Sequence, residues 1–318
     1  MKPSSLESND RSTGPSPGPR DAAGLGRQAR RFVAASVALL LAACSQLQLG
    51  YNNADRALAY SLDSYLDLDD RQEELARVRI AALHCWHRRT QLPGYAQLLA
   101  DAQAKVAGPV TAAEVSDFAS GVRRALAAVG EQAAPDLAAL ALTLKPAQID
   151  RLAERLARDT SEARRELVRY AGSDPLEQRV ERYVEQAEGW FGTLSPAQRA
   201  MIRASLQRRP EAQEAWMAER ERRHRELVAV MTRIRTEQPS PARATDWLRE
   251  YFAELAEPRD PARRARLATY RQDSAELLAQ LVSSATPAQR TVLAKRLRGY
   301  AADLEVLAAK TTAGGGCG

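Results

Sequence analysis

Apolar residues recur at intervals of three and four along most of the chain beyond residue 50, which is the pattern of helices that bury one face. The clearest stripes run through residues 149–170, 180–190, 267–281 and 293–307. No stretch alternates apolar and polar positions with enough β-branched residues to predict a strand. The pattern therefore predicts an all-α protein, a multi-helix bundle of amphipathic helices with no sheet.

Helix breakers divide this pattern into segments. The clearest breaks fall at Pro93-Gly94, Gly108-Pro109, 172–175, 238–241 and 258–261. We also expect Pro135 and Pro210 to kink or divide longer helices, because proline lacks an N–H for the helical ladder. The predicted body runs from residue 52 to residue 312 with about nine to eleven helices, and residue 140 is a candidate sub-boundary. Residues 313–318 are Gly-rich and are predicted to form a disordered tail.

The composition supports this fold and argues against one class of partner. Ala, Leu, Glu, Gln and Arg dominate the chain, and these are good helix formers. The net charge is +6, but residues 1–43 contain six basic and three acidic residues, which leaves +3 for the rest. Nucleic-acid-binding proteins usually carry a concentrated basic footprint. We therefore predict no nucleic-acid partner.

The first 43 residues have the layout of an exported protein. Residues 1–26 are rich in Ser, Pro and Gly, and three arginines between positions 27 and 31 precede the apolar run 32–41. That run has signal-peptide length and is too short to span a bilayer as a helix, which takes about 20 residues. We predict that residues 1–43 comprise a disordered extension and a signal peptide.

The apolar run ends in Leu41-Ala42-Ala43-Cys44, which resembles the bacterial lipobox. The resemblance implies that the Cys44 thiol takes a diacylglyceryl group and that cleavage leaves Cys44 as the acylated N-terminus. Residues 44–51 are then the lipid anchor and a short tether. Several acyl chains anchor firmly, because each buried CH₂ contributes about 0.8 kcal/mol. The residue after the cysteine is Ser45 and not Asp, which in enteric-type bacteria resembles the default for sorting to the outer membrane. The predicted location is the periplasm, with the lipid in the outer membrane.

A five-residue pattern that can start a helix occurs four times, at positions 68, 144, 194 and 285. In three copies an Asp, Ser or Thr can act as N-cap, and a Gln three positions later can complete a capping box. These pairs are Asp69–Gln72, Ser195–Gln198 and Thr286–Gln289. The remaining copy has Lys145 in the cap position and lacks a capping oxygen. The pattern is similar to the Leu-Ser/Thr-x-x-Gln motif of Spy and CpxP, all-helical periplasmic chaperones and stress regulators, although helix capping alone also explains it.

A second resemblance covers the N-terminal half of the body. It rests on the lipobox, on Tyr-Asn-Asn-Ala-Asp at 51–55, on Leu-Asp-Leu-Asp at 66–69 with Gln72, and on Trp-His-Arg-Arg at 86–89 with Leu-Pro-Gly-Tyr at 92–95. Together these segments resemble a proteobacterial lipoprotein family of unknown function. The resemblance implies an all-helical periplasmic body and brings no activity, cofactor or catalytic residue.

The histidines and cysteines offer few candidates for a site. His84, Cys85 and His87 lie within four residues, and His224 is the third histidine of the chain. A structural zinc site usually has four ligands, so a helix interior explains this cluster better and we predict no metal. The cysteine count also allows a bridge between Cys85 and Cys317.

Two distant segments carry opposite charge. Residues 55–74 hold seven acidic and two basic residues, net −5, and residues 199–235 hold ten Arg and five Glu, net +5. Either the two segments meet in the fold or the basic one meets an anionic envelope surface, while i,i+4 pairing on a solvated face is the third explanation. The candidate residues for an anionic partner are Arg220, Arg222, Arg223 and Arg225.

The sequence contains no nucleophile elbow, phosphate loop or zinc-protease motif. We therefore predict a non-enzymatic protein with no catalytic residue and no cofactor. The predicted function is that of a lipid-anchored periplasmic lipoprotein that binds an unidentified protein or envelope component through grooves between helices. The alternative is a Spy-like periplasmic holdase chaperone or stress-response regulator.

Overall fold

The computed structural model describes residues 46–169 and 174–310. These residues form twelve helices and no strand, so the all-α prediction is confirmed. The predicted number of nine to eleven helices was too low by one, because α1 precedes residue 52, where the predicted body begins. The helices are α1 (46–52), α2 (Ala54–Leu66), α3 (Asp70–Thr90), α4 (Leu92–Lys105), α5 (Ala112–Ala141), α6 (Pro146–Arg169), α7 (Pro175–Phe191), α8 (Pro196–Gln207), α9 (Ala212–Glu237), α10 (Pro241–Ala256), α11 (Pro261–Ser283) and α12 (Pro287–Ala309).

Proline sets several of the helix starts. It is the first residue of the six helices α6, α7, α8, α10, α11 and α12, a position where its missing N–H has no intrahelical partner to lose. Pro210 divides α8 from α9 as predicted, whereas Pro135 lies inside α5 without ending it. Ala134 and Ala138, on either side of Pro135, are fully buried. Packing of this face therefore holds the helix together across the lost hydrogen bond.

The body has two hydrophobic clusters that alternate along the chain. The first is built around α5, α6, α9 and α10, with Leu66 of α2, Leu152 of α6 and Leu248 of α10 among its buried members. The second is built from α7, α8, α11 and α12, with Ile202 of α8 and Leu293 of α12 inside it. No described helix is both long enough and apolar enough to cross a membrane.

The capping boxes predicted at Asp69–Gln72, Ser195–Gln198 and Thr286–Gln289 are all present. In each, the cap side chain accepts from the glutamine backbone N–H, and the glutamine side chain accepts from the cap backbone N–H. At the fourth copy, Gln148 Oε1 accepts from the Lys145 N–H at 2.8 Å, so this copy keeps one half of the box.

The four glutamines meet in two buried pairs, which the capping pattern does not predict. Gln72 and Gln148 exchange two side-chain hydrogen bonds, 3.1 and 2.7 Å, and Gln198 and Gln289 exchange two of 3.0 Å. Each Nε2 also donates to a backbone carbonyl, for example Gln289 to Thr193 at 2.8 Å. The glutamines thus fasten helix starts 76 and 91 residues apart, one pair for each hydrophobic cluster.

Candidate functional site

The side chains quoted for the family resemblance at 51–52, 87–88 and 95 come together around Tyr51 of α1. The Tyr51 hydroxyl shares a hydrogen bond of 2.8 Å with His87 Nδ1 on α3. The Tyr51 ring lies 4.7 Å from the ring centroid of His84, and His87 in turn meets the edge of Tyr95, on α4, at 5.4 Å. We call these four residues, together with Arg88, the Tyr51 cluster.

Arg88 is the buried charge of this cluster. It is 8% exposed, its Nη2 donates to Asn52 Oδ1 at 2.8 Å, and its guanidinium lies over the Tyr51 ring at 5.0 Å. Among the described residues no carboxylate forms an ion pair with it. A buried cation without a carboxylate depends on its hydrogen bonds and on the aromatic face, so Arg88 ties residues 51 and 52 to α3.

Burial keeps the Tyr51 cluster uncharged apart from Arg88. It raises the pKa of Tyr51 to about 12, although the nearby Arg88 charge acts in the opposite direction. Burial, followed by the charge of Arg88, lowers the pKa of His84, and burial lowers the pKa of His87. Both imidazoles are therefore neutral at pH 7, which leaves a tyrosine hydroxyl and two imidazoles as hydrogen-bonding groups.

The cluster has few of the groups that a metal site needs. Within the described residues, no three His, Cys, Asp or Glu side chains converge in a metal-binding arrangement. Cys85 is disulfide-bonded, so it offers no thiolate. The two other cysteines, Cys317 and the predicted lipidation position Cys44, lie outside the described residues.

A second set of contacts holds α1 to α12. Gln48 Nε2 donates to Asp303 Oδ1 at 2.8 Å, and Lys310 Nζ donates to Gln48 Oε1 at 3.2 Å. Asp303 is 5% exposed, so its carboxylate needs this partner. Four chain segments therefore converge: α1, the last turns of α3 and α12, and the first turn of α4. We call this convergence the α1 end of the bundle.

The four candidate arginines of α9 are not one free cationic surface. Arg222 pairs with Glu219 and Glu226, and Arg223 also pairs with Glu219. Arg220 packs near the ring of Trp216, 5.9 Å from its centroid. Neither Arg220 nor Arg225 makes an ion pair or hydrogen bond to a described residue. Carboxylates of the same helix therefore pair with two of the four candidate arginines, Arg222 and Arg223.

The acidic segment finds its partners elsewhere. Asp69 pairs with Lys145 at 2.9 Å and Asp67 with Arg151 at 3.6 Å, both near the start of α6. No ion pair within the described residues joins 55–74 to 199–235, because α6 packs between α2 and α9. The opposite charges of the two segments therefore do not pair in the fold, although Leu66 and Ile234 belong to the same hydrophobic cluster.

A groove of about 470 Å³ runs between α6 and α9. Its polar lining residues are the buried Thr160 together with Glu221, His224 and the exposed Arg225. The Thr160 hydroxyl donates to the Leu156 carbonyl, so it accepts from His224 Nδ1 at 3.0 Å, which leaves His224 Nε2 as an acceptor. Burial lowers the pKa of His224, and among the described residues that line this groove Arg225 is then the one cation without an ion pair. The apolar lining residues are Ala153, Leu156, Ala157, Val228 and Ala229.

A second groove, of about 480 Å³, lies between α9 and α10. Trp247 lines it, is 5% exposed, and is flanked by the guanidiniums of Arg233 at 3.8 Å and Arg243 at 5.6 Å. Tyr251 also lines it, and burial together with Glu226 raises the pKa of Tyr251 to about 12. The sequence patterns did not point to this groove, because its residues come from two helices whose relative placement no spacing records.

Comparison with known proteins supports one assignment. Neither the curated proteins nor the solved structures contain a match for the chain. Residues 64–251, more than half of the chain, match the model of a family of unknown function, DUF6279. The match spans the end of α2 through most of α10, and so it includes the Trp86–Tyr95 segment and the α6–α9 groove. The chain belongs to DUF6279, a family of unknown function.

Proposed function

We propose that this protein is a lipid-anchored periplasmic envelope protein, without catalytic activity, that holds its helical body close to a membrane and binds a protein partner there. The observation that carries the proposal is the packing of α1. Cys44 lies two positions before the first described residue, Gln46, and Gln48 and Tyr51 are already fixed to α12 and α3. A lipid on Cys44 would therefore tether a body that has almost no flexible linker.

The lipid itself is tested by changing the cysteine. Cys44→Ser should abolish metabolic palmitate labelling and release the protein from the membrane fraction. Ser45→Ala is the matched control, because it alters the neighbouring position and keeps the thiol. Continued palmitate labelling of the Cys44→Ser protein would refute the anchor.

The position after the cysteine tests the choice of membrane. Under the sorting rule of enteric-type bacteria, Ser45→Asp should keep the palmitate label and move the protein from outer-membrane to inner-membrane fractions. Unchanged fractionation of the labelled Ser45→Asp protein would contradict the outer-membrane assignment.

The α6–α9 groove is the partner site that the geometry favours. Its alanine-rich lining admits the apolar face of a helix, and the exposed Arg225 can pair with a carboxylate of that helix. A photo-crosslinking amino acid at Ala157 should capture one defined envelope protein in intact cells. The same label at Ala288, an exposed position on α12, is the control. Equal capture at both positions would contradict a specific groove.

Holdase activity is the second candidate function, and exposed apolar side chains favour it. Tyr60 is 77% exposed, Leu126 66% and Leu58 53%. The capping motif gives no separate support, because its glutamines are buried and paired with one another. A holdase should suppress aggregation of a heat-denatured client, and a triple substitution of these residues by Gln should remove that suppression while leaving stability unchanged.

A further inference from the structure

We infer that the α1 end of the bundle is the surface that faces the lipid headgroups, with α3 and α12 running away from the bilayer. This inference rests on the proposed lipid at Cys44 and adds an orientation to it. It concerns the lipid surface itself as a binding partner, through side chains other than the lipidated cysteine.

The length of chain between the lipid and the folded body carries the argument. Four residue steps separate Cys44 from Gln48, and a fully extended chain covers at most about 3.6 Å per step, or about 14 Å in all. Gln48 is bonded to Asp303 and Lys310, and Tyr51 to His87. Because these contacts fix α1 to α3 and α12, the ends of those two helices must remain near the acylated residue.

The side chains at the α1 end suit an interface with headgroups. Leu49 on α1 is 67% exposed and Val306 in the last turn of α12 is 43% exposed. Exposed basic residues at the same end are Arg89, near the end of α3, and Lys310, which follows α12. Apolar and basic side chains together are the usual composition of protein surfaces that lie in the headgroup region.

The acidic groups at this end limit how much charge can contribute. Glu305 is exposed and Asp55 is half-buried, whereas Asp303 is buried and hydrogen-bonded to Gln48. The charges of the α1 end are thus close to balanced. Attachment therefore depends on the lipid and on apolar contact, and it should respond weakly to salt.

Exposed positions at opposite ends of one helix allow the orientation to be tested, because their distance along the helix is known. Arg71 and Arg89 are exposed positions near the two ends of α3, and Ala288 and Val306 are exposed positions near the two ends of α12. Each pair is separated by 18 residues, which is about 27 Å along a helix. If the bundle stands on its α1 end, the two members of each pair differ in depth by most of that distance.

The experiment uses the full-length protein purified from membranes with its lipid and incorporated into phosphatidylethanolamine–phosphatidylglycerol vesicles. A genetically encoded fluorescent amino acid is placed at one position of the two pairs at a time. Lipids that carry a nitroxide on the headgroup then quench the fluorescence of any label that lies near the membrane surface. We expect strong quenching at 89 and 306 and none at 71 and 288.

The outcomes separate this inference from the proposed function. Flotation with the vesicles but equal quenching at all four positions would overturn the orientation and leave the lipid anchor in place. Failure of the palmitate-labelled protein to float would overturn both.

Loosening α1 provides a second readout. Tyr51→Ala should reduce quenching at position 89 while flotation persists, because the contact with His87 and Arg88 is lost. Tyr51→Phe keeps the ring over which Arg88 lies and should have the smaller effect. Unchanged quenching in Tyr51→Ala would show that the contacts of Tyr51 do not hold the body against the membrane.

Discussion

The buried glutamine pairs make a sharp prediction, because replacing Gln289 by Glu changes one atom of the side chain. Gln289 is 7% exposed, and its Nε2 donates to the Thr193 carbonyl at 2.8 Å and to Gln198 Oε1 at 3.0 Å. Gln289→Glu places an acceptor oxygen against these two acceptors. It also buries a carboxylate, and none of the described hydrogen-bond partners of Gln289 is a cation.

The expected cost follows from these contacts. Two lost hydrogen bonds account for about 0.5–1.5 kcal/mol each. An uncompensated buried charge raises the loss to about 3–5 kcal/mol in the free energy of unfolding at pH 7. The assay is urea unfolding followed by helical circular dichroism, on the chain from residue 44 with Cys44→Ser. Glu114→Gln is the matched control, because Glu114 completes the capping box of Thr111 at an exposed position without a glutamine partner.

The pH dependence gives the same prediction a sign. Burial without a cation should raise the folded-state pKa of the new carboxyl above its unfolded value of about 4.3. The variant should therefore approach wild-type stability below pH 4 and lose stability as the pH rises through the folded pKa. A Gln289→Glu protein within about 1 kcal/mol of the wild type at pH 7 would refute the reasoning, since even the lost hydrogen bonds predict more. So would a Glu114→Gln protein that is equally destabilised.

Three further predictions follow. Because the pKa values of His84 and His87 are lowered, the free energy of unfolding should fall as the pH drops below about 6.5. The free energy of unfolding of the His84→Asn/His87→Asn double variant should fall less steeply with pH, and equal slopes for the variant and the wild type would contradict this prediction. Arg222→Glu should lower the melting temperature, because Arg222 pairs with two carboxylates of its own helix; an unchanged value would mean that these pairs contribute nothing. If the sulfur of the lipobox cysteine carries a lipid, non-reducing peptide mapping should join Cys85 to Cys317, and a free Cys317 thiol would contradict this assignment.

Much of the fold could be read from local sequence. The three-and-four periodicity gave the all-α class, and the cap residues gave helix starts at Asp70, Pro196 and Pro287. These features depend on neighbours within one helical turn, so a single sequence contains them. Helix α1 was missed because its apolar residues Leu47, Leu49 and Tyr51 fall at alternate positions, which is not the helical period.

The contacts between distant segments could not be read in this way. Gln72 and Gln148 each look like an isolated capping residue, and only the fold shows that they pair. The opposed charges of 55–74 and 199–235 suggested a contact, but short-range pairs within α9 and with the start of α6 satisfied those charges first. The sequence pointed to most residues of the Tyr51 cluster but not to their contacts. Tyr51, His87, Arg88 and Tyr95 lie in the segments that carried the family resemblance and His84 lies outside them, although the spacing gave no reason to place these residues together.

The central claim is that a lipid on Cys44 holds this body at a membrane, and mass spectrometry of the N-terminal peptide tests it most directly. The protein is purified from membranes of the native host and digested, and its first peptide is fragmented. We predict that this peptide starts at Cys44 and carries the mass of a diacylglyceryl group on sulfur with an acyl group on the α-amine. A peptide that reads through residues 40–48 with an unmodified Cys44 would contradict the account.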